Sequence, residues 1–91
     1  MARVTITLPS MLESAAGGRR DFDVEADTVS GALRRLTELL PALGTLLFDE
    51  GGTLREHVLC FHNATSTRWS DDDAALADGD TIRILQAVSG G

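Results

Sequence analysis

Between Thr28 and Pro41 the chain places Val29, Leu33, Leu36 and Leu40 at the i, i+4, i+7, i+11 spacing of one helix face, while Arg34, Arg35 and Glu38 fall largely outside that stripe. Thr28 is the predicted N-cap, because its hydroxyl can accept from a free amide of the first turn. Pro41 has no N–H and disfavours the α conformation at Leu40, so the helix ends or kinks there. A shorter helical turn over Leu43–Phe48 is expected to follow. One amphipathic helix needs one apolar surface to cover it, and that requirement selects the rest of the fold.

The surface comes from segments with a period of two. Val4, Ile6 and Leu8 alternate with Arg3, Thr5 and Thr7, and Phe22, Val24 and Ala26 alternate with Asp21, Asp23 and Glu25, which predicts a hairpin of half-buried strands. Residues 10–19, with Gly17-Gly18, are expected to be their connection. Beyond the turn chemistry of Asp49-Glu50-Gly51-Gly52, Val58 to His62 is a third strand and Asn63 to Ser66 a turn. Asp71-Asp72-Asp73 can cap Ala74-Ala75-Leu76, and Asp78-Gly79-Asp80 turns tightly into a last strand, Thr81 to Leu85. The order β-β-α-β-β predicts an α+β fold of the β-grasp type: a four- to five-stranded mixed sheet wrapped around one main helix. Val4, Ile6, Leu8, Ile82 and Ile84 should face Val29, Leu33, Leu36 and Leu40. Residues 1–86 are expected to form that domain and residues 87–91 a flexible tail ending in Gly-Gly.

Composition narrows the function. A 91-residue chain buries roughly 60–65% of its unfolded surface, enough for one core but hardly for a deep pocket as well, which weighs against a self-contained catalyst. A net charge of -6 works against nucleic acid and anionic membrane, since both need clustered basic residues. The longest largely apolar stretch, Leu39 to Phe48, is interrupted by Pro41, Gly44 and Thr45 and cannot span a bilayer. The alternating N-terminal segment is unlike a signal peptide, and Cys60 is the one cysteine, so a cytoplasmic location is expected. All eight basic residues are arginines and none is lysine, a pattern that GC-rich codon usage produces and that also spares an activated acyl group from attack by its own chain.

His57, Cys60 and His62 are close in sequence, but a strand puts Cys60 and His62 on one face and His57 on the other, so no metal site is expected. Cys60 has no activating base nearby and reads as a small buried hydrophobe. Asp71-Asp72-Asp73 lacks the spacing of a calcium loop. With Val58, Cys60 and His62 inward, Leu59 and Phe61 point out, as do Arg83, Leu85 and Ala87 on the last strand. An exposed apolar patch of this kind marks an interaction site, and Leu59, Phe61, Arg83 and Leu85 are the candidate docking residues. Gly90-Gly91 adds nothing to a fold, but a backbone without Cβ atoms can thread a narrow channel and present a carboxylate to another protein's active site.

The segment Leu76-Ala77-Asp78-Gly79-Asp80-Thr81-Ile82-Arg83-Ile84-Leu85, followed by Gln86-Ala87-Val88-Ser89-Gly90-Gly91, resembles the C-terminal signature of the MoaD/ThiS family of ubiquitin-like sulfur carriers. Asp27-Thr28-Val29, Leu46-Leu47-Phe48-Asp49 and Asn63 also fall where that family has them, and the opening Val4 to Pro9 looks most like its CysO-type branch. Gln86, where many members have Pro, and His62, where an apolar residue is usual, depart from the pattern. The resemblance implies a non-catalytic carrier with no bound cofactor, whose Gly91 is adenylated with ATP by an E1-like activating enzyme of the MoeB/ThiF type and then converted to a thiocarboxylate. Gly90 gives access, and the sulfide passes to an acceptor such as a cysteine synthase. The small subunit of molybdopterin synthase, a ubiquitin-like modifier of target lysines and a plain interaction domain remain as alternatives.

Overall fold

The computed structural model describes residues 1–51, 54–55, 58–63, 65–67 and 75–86. Burial alternates along each long strand, as the period-two pattern requires: β1 (Ala2–Thr7) and β2 (Asp21–Ala26) turn Val4, Ile6, Phe22, Val24 and Ala26 inward. After α1 (Val29–Leu39) and α2 (Pro41–Leu47) come β3 (Val58–His62), β4 (Thr65–Thr67) and β5 (Thr81–Gln86). The strands form one sheet in the order β2-β1-β5-β3-β4. β1 pairs antiparallel with β2 and parallel with β5, while β3 pairs antiparallel with β5 and β4. This mixed five-stranded sheet around α1 is the β-grasp expected from the element order.

The helix has the boundaries its residues dictate. Thr28 is extended, and its Oγ1 accepts from the Gly31 N–H at 3.2 Å. Leu40 leaves the helical region at φ -131° and ψ 79°, and Pro41 then opens α2 at a position whose N–H would be unpaired in any case. α2 therefore begins two residues before the expected turn over Leu43–Phe48, and Phe48 is extended, bridging Leu54. Ile6, Leu33, Leu36, Leu43, Leu47, Ile82 and Ile84 are each 0% exposed and interlock the sheet with both helices. Leu40, expected in that layer, is only half-buried against its margin, because the chain has already left the helix there.

Residues 10–19 connect β1 to β2 as expected, and do so through 3-10 turns at Ser10–Leu12 and Ser14–Ala16 that bury Leu12 and Ala16 before Gly17 and Gly18 turn the chain at φ 72° and 89°. One expectation is corrected. The turn expected over Asn63–Ser66 contracts to the left-handed Asn63 (φ 57°), and Thr65–Thr67 pairs with β3 as an edge strand. The expected cap at 71–73 lies outside the described residues. Among the described residues, no helix is long and apolar enough to cross a membrane.

Candidate functional site

β5 is the third of the five strands and ends at Gln86 in the middle of the sheet. Gly90 and Gly91 lie outside the described residues. Gly91 is five residues beyond Gln86, which bounds their separation at about 17 Å. Chain length therefore tethers the terminal carboxyl near the C-terminal half of β5.

The four residues expected to form an outward patch meet there. Leu59 on β3 is directly opposite Leu85 on β5, and Phe61 is opposite Arg83. Leu59 is 41% and Leu85 38% exposed, large values for leucines in the middle of strands. Arg83 is exposed and Phe61 half-buried. Thr7 of β1 is level with Arg83, and Asp21 of β2 is level with Thr7, so the outward face grades from apolar at β3 and β5 to acidic at β2. Ala87, expected on this patch, lies outside the described residues.

The inward thiol of β3 is chemically quiet. Cys60 is buried, and burial pushes its thiol up to about 11, so it stays protonated and is a poor nucleophile. His57 lies outside the described residues. Among the described residues, no group of three or more His, Cys, Asp or Glu is placed to hold a metal.

Sequence reasoning missed a polar cluster at the other end of β5. Asp80 Oδ2 accepts from the Ala77 N–H at 2.9 Å and meets His62 Nε2 at 2.7 Å, and Asp80 Oδ1 accepts from Asn63 Nδ2 at 3.3 Å. Asn63 Oδ1 in turn accepts from the Thr81 N–H at 3.0 Å, and the Asp80 carbonyl accepts from the Thr5 N–H at 3.1 Å. Asp78 takes the Arg3 N–H at 2.9 Å, and Gly79 at φ 89° makes the tight turn between the two aspartates. The D-G-D motif is thus a clamp that sets the register of β5 against β1 and β3, and so decides that Arg83 and Leu85 point outward. His62, which departs from the expected apolar residue, is the clamp's partner on β3. The visible signal was that departure, together with the spacing of two aspartates around a glycine.

The Ala77 N–H, then His62 and Asn63, hold the Asp80 carboxyl down to about 2. A carboxyl held below its ordinary 3.8 stabilises the fold above that value, and the contribution is lost as pH falls from about 4 through about 2. Urea unfolding midpoints measured from pH 7 to pH 2 should decline across that window. Asp80→Asn should start from a lower midpoint and show a flatter decline.

The ThiS family model matches residues 6–91. "Sulfur carrier protein CysO" of Mycobacterium tuberculosis is 32% identical over 91 residues, covering 97% of this chain and 98% of that protein. Among solved structures, SAMP1 from Haloferax volcanii superposes with a TM-score of 0.86 at 30% identity, covering 99% of this chain and 100% of that one. The Amycolatopsis orientalis BexX/CysO complex contains a chain that superposes with a TM-score of 0.84 at 28% identity over 97% of this chain and 99% of its own length. A family match that begins in β1 and runs through the final diglycine, with a relative of this identity along nearly the whole length, settles the kinship: the chain belongs to the ThiS family.

Proposed function

We propose that this chain is a sulfur carrier. The observation that carries the proposal is the family match through Gly90 and Gly91, joined to 32% identity with a sulfur carrier over nearly the full length. The Gly91 carboxylate attacks the α-phosphorus of ATP on an E1-like activating enzyme, releasing pyrophosphate and forming an acyl-adenylate. A sulfur nucleophile then attacks the acyl carbon, AMP leaves, and the carboxylate ends as a thiocarboxylate. Glycine suits this chemistry because nothing branches beside the reacting carbon. The carrier supplies no catalytic group of its own, and an acceptor enzyme of cysteine or related biosynthesis takes the sulfide in the cytoplasm.

The test is an intact mass after incubation with ATP, a sulfide source and an activating enzyme. The expected result is a gain equal to exchanging one oxygen for sulfur. An unchanged mass, with the same enzyme shown to charge another carrier, would overturn the proposal. The likeness to SAMP1, a small archaeal modifier protein, supports a second use of the same terminus: isopeptide bonds to lysines of other proteins. A ladder of conjugates in the same incubation, supplemented with extract, would reveal it. Self-linked chains are disfavoured, since this chain has no lysine.

Leu59, Phe61, Arg83 and Leu85 are proposed as the docking surface for the activating enzyme, because they lie within tail's reach of the carboxyl and expose apolar area. Leu85→Asp is a better probe than Phe61→Asp, since Phe61 is half-buried and its loss also disturbs packing. Leu85→Asp should reduce the rate of charging at limiting enzyme by about tenfold or more while costing about 1 kcal/mol in stability. Unaltered charging kinetics would remove this face from the encounter.

A further inference from the structure

β2 is an edge of the sheet, and its unpaired side can be read residue by residue. The Leu8 N–H donates to the Arg20 carbonyl at 2.7 Å, and the same register continues as Ile6 with Phe22 and Val4 with Val24. Those residues therefore exchange hydrogen bonds with β1, and the backbone groups of Asp21, Asp23 and Glu25 point the other way. The Arg19 guanidinium donates to the Asp21 carbonyl at 3.2 Å and occupies that end. At Asp23 and Glu25, no other strand among the described residues takes the ladder.

Alongside this edge runs a groove of about 330 Å³ between β2 and α1, lined by Asp23, Val24, Glu25, Arg35, Glu38 and Leu39. Leu39 is 64% exposed, at the end of a helix whose other leucines at 33 and 36 are fully buried. On the outward face the same strand presents Asp21, Asp23 and Glu25 in a row. Thr7 and Thr5 donate their hydroxyls to Asp21 and Asp23, and Arg3 approaches Asp23 at 3.9 Å, yet the Asp23 side chain remains 58% exposed.

We propose that the edge of β2, with the groove beside it, binds an extended segment of a partner protein in which basic residues alternate with apolar ones. The period of two dictates the pattern: basic side chains lie opposite Asp21, Asp23 and Glu25 on the outward face, and the intervening apolar side chains enter the groove against Leu39 and the stems of Arg35 and Glu38. A second copy of this chain is disfavoured, because two β2 edges would set carboxylates against carboxylates. Charges on an edge strand do guard against self-pairing. The row that repels a copy also selects a basic strand, and the neighbouring groove with its exposed leucine gives that strand a second contact. This surface is separate from the β3–β5 patch.

The experiment uses the full chain, isotope-labelled, with a blocked eight-residue peptide alternating arginine and valine as the probe. Saturable shifts centred on the amides of Asp23 and Glu25, with slowed hydrogen exchange at both, are expected. The Asp23→Lys/Glu25→Lys double variant should weaken the peptide by about tenfold, and a glutamate–valine peptide should not bind. Leu39→Glu leaves the strand untouched and should also weaken binding, which keeps the test decisive if the double variant folds poorly. Shifts confined to Leu59, Phe61 and Leu85, equal binding of the acidic peptide, or concentration-dependent broadening at β2 without peptide would each overturn the proposal.

Discussion

Deletion of Gly91 is expected to abolish formation of the thiocarboxylate while leaving the melting temperature unchanged. The truncated chain still ends in a glycine carboxylate, so its chemical competence is intact. What changes is position. The acyl carbon retreats by one residue, about 3.5 Å, and misplacement of a reacting group by even about 1 Å can cost about 10²-fold in rate. Among the described residues the buried core reaches no further along β5 than Ile84, and the fold is expected not to depend on the last residue. Gly91→Ala separates the two requirements of access and length: it keeps the length and adds a Cβ, and should be charged slowly rather than not at all. Intact mass against time for the three proteins gives the answer. Charging of the deletion at the full rate would mean that the carboxyl is not read by position, and the carrier proposal would fall.

The parts of this molecule that were legible in the sequence are those governed by a single periodicity. Val4 with Ile6, Phe22 with Val24 and Ile82 with Ile84 alternate cleanly, and the helix stripe from Val29 to Leu36 has a hydroxyl at one end and a proline at the other. Each of these signals survives because burial and local backbone preference agree. Strand β4 was illegible for the opposite reason. Thr65-Ser66-Thr67 has no apolar alternation and is a strand because β3 offers it a ladder, a fact of tertiary structure rather than of the segment. The 3-10 turns around Leu12 and Ala16 escaped likewise, since two buried residues in a run of ten make no period.

The candidate site divides along the same line. The facing of Leu59, Phe61, Arg83 and Leu85 followed from strand parity once β3 and β5 were recognised, although parity alone could not pair Leu59 with Leu85. The clamp of His62, Asn63 and Asp80 could not be read, because its members are 17 and 18 residues apart and meet only when β3 lies beside β5. The clamp links the two levels. By fixing where β5 begins, it fixes which of its residues face outward.

Leu36→Ala should be the most damaging single change within the fold. Leu36 is 0% exposed in the same core cluster as Leu33, Leu43 and Ile84, which are equally enclosed, so little can move in to fill the space it leaves. Leucine-to-alanine changes at such sites cost about 2–5 kcal/mol through lost transfer energy and the residual cavity. For a domain of this size that is a large share of a total of about 5–15 kcal/mol, and it should lower the melting temperature by about 10–20 °C. Leu39→Ala, three residues along the same helix, removes the same atoms from a side chain that is 64% exposed and should cost less than about 0.5 kcal/mol. The contrast isolates burial from helix propensity, because both substitutions put alanine into the same element. Calorimetry of the two variants would decide it. Equal losses would mean that α1 does not pack on the sheet through the Val29–Leu33–Leu36 face, and the β-grasp core described here would be wrong. The expected inequality would also leave Leu39 free for the partner strand proposed at the β2 edge, since a side chain that contributes little to folding can be given over to binding without loss of the fold.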